Sequence, residues 1–171
     1  MPPTQPASYR IGIEAVAGYG PWLAIQDQVT LVRWGADCAA RVLPLFEQAN
    51  PADPRARRAI EAGRAWSRGG IGVADARKAA VAAHAAAREC DDPAARAAAR
   101  ACGHAAATAH LGGHARQGAA YAIIAAAASV TPAKAAVAIA AERDWQVGHQ
   151  ASFLPLPSHF SLPLEADSRR C

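Results

Sequence analysis

Histidine is the side chain in this sequence best suited to chemistry near neutral pH, and four of the six histidines, His84, His104, His110 and His114, fall within 31 positions. Imidazole titrates near neutrality, moves protons and ligates metals. His110 and His114 stand at i, i+4, a spacing that on one continuous helix can grip a metal ion. No Asp or Glu lies between Asp92 and Glu142 to complete a ligand shell, and H-E-x-x-H is absent. Packing and hydrogen bonding within the fold is the plainer role for these rings, and no metal or cofactor is expected.

Asp37 is the carboxylate placed closest to an apolar stripe, near Trp34. A general base must lie within hydrogen-bond reach of its substrate and have a shifted pKa. The simpler role for Asp37 is a helix ion pair with Arg33 or Arg41, four residues away on either side. Ser67, Thr108 and Ser129 have no nucleophile-elbow or base signature. Gly69-Gly70-Ile71-Gly72 lacks the lysine of a phosphate loop. No catalytic residue is assigned. Trp22, Trp34, Trp66, Tyr121 and Trp145 are spread along the chain. They fill space that alanine cannot, and Trp34, Tyr121 and Trp145 are candidate partner anchors because aromatics dominate binding hot spots.

The elements that carry these residues are helices. The chain has 171 residues, 52% of them hydrophobic but only 6% aromatic, and alanine is the strongest helix former. Leu31, Trp34, Cys38, Val42 and Leu45 recur at helical steps, which predicts a helix over about 27–48, with Pro44 bending it or setting off its last turn. Further helices are expected over about 54–68, 73–89, from Pro93 to a break at Gly112-Gly113, on to about Ala128, and from Pro132 to Gly148. Two interior glycines cost about 2 kcal/mol relative to alanine, which favours the break. Asp53-Pro54, Asp92-Pro93 and Thr131-Pro132 stand 39 residues apart in turn. Each offers a capping oxygen followed by a proline, the signature of a helix start. Such a period is typical of helical-hairpin repeats.

Residues 1–22, rich in Pro and Gly, are expected as a flexible arm, residues 23–150 as one helical domain, and residues 151–171 as an extended tail. The tail is expected to lie along a groove of its own domain or to join two copies of the chain. The formal net charge of +4 is too small, and too concentrated on the helix carrying Arg55, Arg57, Arg58, Arg64 and Arg68, to suggest nucleic-acid binding. Cys38, Cys90, Cys102 and Cys171 show no C-x-x-C spacing and are expected as packed thiols, with Cys171 exposed. Arg10 and Glu14 interrupt the N-terminal apolar residues, so no signal peptide is read there. No apolar run is long enough to span a membrane. A cytoplasmic protein is expected.

A set of blocks carries a family resemblance: Trp34-Gly35-Ala36-Asp37-Cys38-Ala39, Val42-Leu43-Pro44-Leu45-Phe46-Glu47, Arg57-Arg58-Ala59-Ile60-Glu61-Ala62 with Trp66, Ala82-Ala83-His84-Ala85-Ala86-Ala87-Arg88, Gly103-His104, Thr108-Ala109-His110, His114, Ala120-Tyr121-Ala122 and Glu142-Arg143-Asp144-Trp145-Gln146. From Trp34 to Gln146 the chain resembles the actinobacterial putative immunity protein family, with Gly112-Gly113 as a departure. The resemblance implies a small all-helical domain that binds and blocks a cognate toxin protein, with no catalytic residues to carry over. The expected fold is all-α, about six helices in stacked antiparallel hairpins with a curved surface. The competing reading is a small-molecule carrier or biosynthetic enzyme whose pocket, between helices, is lined by His84, His104, His110, Tyr121 and Asp37.

Overall fold

A computed structural model describes residues 7–154. The described residues are helical and contain no strand. The order is α1 (Ala7–Ala15), a 3-10 turn (Ala17–Tyr19), α2 (Gly20–Ala24), α3 (Gln28–Ala49), α4 (Arg55–Ser67), α5 (Val73–Glu89), α6 (Pro93–Ala107), α7 (His114–Ala128), α8 (Pro132–Gln150) and a closing 3-10 turn (Ala151–Phe153). The tail beyond Leu154, including Cys171, lies outside the described residues, and with it the expected tail groove and tail-mediated assembly.

The helix ends follow from their capping chemistry. Asp27 and Asp92 accept hydrogen bonds from the backbone N–H of Thr30 and Ala95, both at 2.7 Å, each satisfying one of the donors a helix start leaves free. Pro93 follows as the first residue of α6. Asp53 instead accepts from the Arg55 N–H at 3.0 Å, with Pro54 at the cap position, and Thr131 makes no side-chain cap bond. At the end of α4, Gly69 adopts φ 74°. The Gly69 N–H donates to Trp66 O and the Gly70 N–H to Ala65 O, at 2.8 and 2.9 Å. This left-handed glycine closure is the Schellman motif. Gly112-Gly113 forms the expected turn, and α6 and α7 are separate helices. Gln28 donates to Thr108 O and Ala109 O, both at 2.9 Å, taking up carbonyls at the end of α6. Pro44 stays within α3 on its exposed side, where water can reach the carbonyl whose partner it removes.

Helix α6 is the centre of the bundle. It packs against α3, α4, α5 and α7, and residues around nearly its whole circumference are buried: Ala95, Ala97, Ala98, Ala99, Ala101 and Cys102 among them. Alanine on every side lets four neighbouring helices approach closely. The larger core side chains come from those neighbours, chiefly Trp34 and Phe46 of α3 and Ile123 of α7. Helix α8 is attached differently. Its buried residues are Glu142 and Gln146. Gln146 donates to Ala119 O and Glu142 Oε1, both at 3.1 Å, and accepts from the Tyr19 hydroxyl at 3.0 Å.

Residues 7–22 differ from the expected arm: they are mostly helical and pack against α7. Tyr9 donates to Gln117 Oε1 at 3.0 Å, Val16 and Tyr19 are buried, and Tyr19 packs edge-on against Trp34 at 5.8 Å between ring centroids. A nine-residue helix is unstable alone, so its sequence need show no sustained period. Its stability comes from the surface beneath it. The contact depends on Gly12, where an added Cβ would stand 2.8 Å from both Ala120 O and the Ile124 side chain. Gly12→Ala is expected to cost about 1–3 kcal/mol by overpacking and to loosen α1 selectively. Hydrogen exchange should accelerate in α1 and around Tyr19 while the amides of α6 stay protected; unchanged exchange in α1 would show that Gly12 does not set the approach.

Candidate functional site

Polar side chains gather in two separate groups. The first gathers the sequence histidines. His84 comes from α5, His104 from α6, His114 from the first residue of α7 and His110 from the turn before it. The antiparallel run of α6 and α7 brings His104 Nδ1 to 3.1 Å from His114 Nδ1, so one of these nitrogens carries the proton. The His84 and His104 rings meet edge to face at 4.8 Å, and His104 stacks on Tyr121 at 5.4 Å. Gly103 makes room for this, since a Cβ there would lie 2.7–2.9 Å from the His84 ring. His110 and His114 remain neighbours despite the turn, with ring centroids 5.1 Å apart. The Arg100 guanidinium lies 5.7 Å from the centre of the Tyr121 ring.

Burial above all, and then His84, His114 and Arg100, hold the His104 pKa down at about 3. Burial also lowers His84 and His114. His84, His104 and His114 therefore favour the neutral form at neutral pH and are held by hydrogen bonding and ring packing. Among the described residues, no three or more His, Cys, Asp or Glu side chains are arranged to hold a metal ion.

The second group lies where α3, α4 and the end of α8 meet. Asp37 is bound by partners distant in sequence: Arg64 Nη2 donates to its Oδ1 at 2.9 Å, and His149 Nε2 lies 3.0 Å from its Oδ2. The expected pairing with Arg33 or Arg41 does not form. Arg41 turns instead to Glu142, 2.9 Å away, and lies over the Trp145 ring at 4.1 Å, where a guanidinium gains cation–π attraction. Trp145, His149 and Phe153 form a ladder along the end of α8, with Trp145 stacked on His149 at 4.6 Å and His149 edge-on to Phe153 at 5.3 Å. Arg33, Asp37, Arg64, Ser67, Arg68 and Phe153 line a cavity of about 320 Å³ beside this ladder.

The candidate residues named from sequence thus separate. Asp37 and Trp145 belong to the α3–α4–α8 group; His84, His104, His110, His114 and Tyr121 belong to the histidine cluster. Trp34 is fully buried between Tyr19 and Trp22, with its indole N–H directed at Gln146 O at 3.4 Å. Sequence reasoning missed Arg33, Arg64, Arg68, His149 and Phe153 as one group. The periodic signal was present, because Arg33, Asp37 and Arg41 share one face of α3 and Trp145, His149 and Phe153 continue at the same step. What was missing was the pairing of the two faces. Burial raises the Cys38 thiol well above its ordinary range and pushes Cys102 up to about 12, so both act as packed apolar groups.

These features define a small all-α domain with its polar clusters set between packed helices. The family model for Imm-5 like putative immunity proteins matches residues 22–152, and the chain belongs to that family. No curated protein and no solved structure matches the chain. No described helix is long and apolar enough to cross a membrane.

The histidine cluster makes stability depend on pH. His104 has its folded pKa below the ordinary 6.5, so between about 3 and 6.5 the unfolded chain binds the extra proton and stability falls as pH drops. The slope approaches about 1.4 kcal/mol per pH unit for each histidine held neutral. Urea unfolding at pH 7, 6 and 5 should show this loss, and His104→Phe should reduce the slope. Equal slopes in both proteins would remove the cluster as its source.

Proposed function

We propose that this chain is an immunity protein that binds a cognate toxin protein and blocks it. Membership of the immunity-protein family over residues 22–152 carries the reading. The chemistry of its side chains agrees with it. His84, His104, His110 and His114 are spent on contacts with one another, and none of them lines the cavity beside Phe153. The α3–α4–α8 face, by contrast, offers guanidinium groups and aromatic rings on rigid helices, the side chains that dominate protein-binding hot spots. Neutralisation by this route needs only affinity: the partner's working surface is covered, and no bond is made or broken. We place the protein in the cytoplasm, where such a toxin would act on its own producer.

The test is functional capture. The full chain is purified under gentle conditions from its own host, and any protein that co-purifies at defined stoichiometry is expressed alone. It is expected to arrest growth, and co-expression of this chain should restore growth. Binding should be tighter than about micromolar, since the tightest immunity pairs lie many orders of magnitude below that. A co-purifying protein that is harmless alone, or whose toxicity this chain does not relieve, counts against the reading.

A further inference from the structure

We infer that the cleft between Arg33, Arg64, Arg68 and Phe153 is the part of the binding face that receives an acidic side chain, an Asp or Glu carboxylate, of the protein partner. This rests on the immunity reading for the identity of that partner, but the recognition chemistry follows from the cleft itself. Its lining comes from α3, which supplies Arg33 and Asp37, from α4 and its C-terminal cap, which supply Arg64, Ser67 and Arg68, and from Phe153 of the closing 3-10 turn. Three arginines and a single carboxylate thus line one cleft. That carboxylate is already occupied, with Arg64 on Oδ1 and His149 at Oδ2. Among the described residues, Arg33 and Arg68 form no ion pair. Their environment contrasts with Arg41, Arg55 and Arg57, each of which has a carboxylate of its own.

The unmatched charge dictates what can cover this cleft. A partner that buries two guanidinium groups must pair them, because an unpaired buried charge is strongly unfavourable. A carboxylate fits the planar fork of arginine and can take two parallel hydrogen bonds. Asp37 disfavours a more highly charged occupant: its fixed negative charge repels a phosphate dianion more than a carboxylate. The aromatic ladder of Trp145, His149 and Phe153 beside the cleft gives the stem of an acidic side chain and its neighbours an apolar surface to cover, which excludes water around the ion pairs. Arg33, Arg64, Trp145 and His149 stand on helices, with Arg68 and Phe153 directly at helix ends, so little backbone ordering is left for binding to impose.

The direct test uses a capped tetraglutamate peptide titrated into the full chain, with inorganic phosphate and capped tetralysine as comparisons. Arginine Nε–Hε resonances report the site. Saturable shifts are expected at Arg33, Arg64 and Arg68, weakening with added salt, with no response to tetralysine. The double variant Arg33→Gln/Arg68→Gln should bind tetraglutamate roughly tenfold or more weakly, with an unchanged circular dichroism spectrum and melting temperature, whereas Lys78→Gln/Arg88→Gln on α5 should bind as the parent does. Equal binding of phosphate, shifts spread evenly over surface arginines, or undiminished binding by the Arg33/Arg68 variant would overturn the assignment. The toxin pair separates this inference from the function. If growth protection holds and the Arg33/Arg68 variant keeps full affinity for the toxin, the cleft assignment falls and the immunity reading stands. If tetraglutamate binds as expected but no captured protein is a toxin, the carboxylate chemistry stands and the toxin as its source falls.

Discussion

The structure depends on one steric constraint: α6 must pass between four other helices, so almost none of its residues can be large. Its buried residues are alanines, one cysteine and a glycine. Each contributes little apolar area, but the close approach they permit brings the backbone of α6 into contact with its neighbours. Packing density rather than side-chain bulk then supplies the dispersion energy of the core. The larger groups, Trp34, Phe46 and Ile123, stand on the surrounding helices and fill the gaps left at the helix crossings. The same economy places His104, half-buried on α6, against His84 and His114 from the flanking helices.

Helix α8 obeys a different rule. It joins the bundle through Gln146 and Glu142, polar groups that are stable under cover only because each is hydrogen-bonded. Gln146 reaches Ala119 O on α7, Glu142 on its own helix and Tyr19 from the N-terminal segment, while Glu142 meets Arg41 of α3. Such contacts demand one geometry, whereas an apolar seam tolerates sliding. The register of α8 on α3 is therefore fixed, and with it the positions of His149 and Phe153 beside Asp37. A polar anchor inside the domain thus sets the shape of an outer cleft.

Much of the fold was legible because its determinants are local. The break between α6 and α7 follows from Gly112-Gly113, which act on the backbone within a turn of themselves. Asp92-Pro93 announced the start of α6 for the same reason. The N-terminal helix was not legible, since Gly12 matters only once Ala120 O is beneath it. The site was legible in its members more than in its grouping. The histidines were visible as a set, and they do meet, because α6 and α7 are joined by a short turn and must run back along each other. Asp37 was visible, but helix spacing suggested Arg33 or Arg41 as its partner, and the observed partners lie on α4 and α8. A pairing of that span is decided by how three helices cross, which residue spacing within one helix does not encode.

The alanine centre also bears on temperature. The heat-capacity change of unfolding grows with the apolar area exposed and is reduced by exposure of polar backbone. A core of methyl groups closely backed by peptide units exposes less of the first and relatively more of the second than a core of leucines would. The curvature of the stability dome is correspondingly small. A domain built this way gains little at the temperature of its maximum stability, and loses little on moving away from it, so its margin is spread over a broad range rather than concentrated at one point.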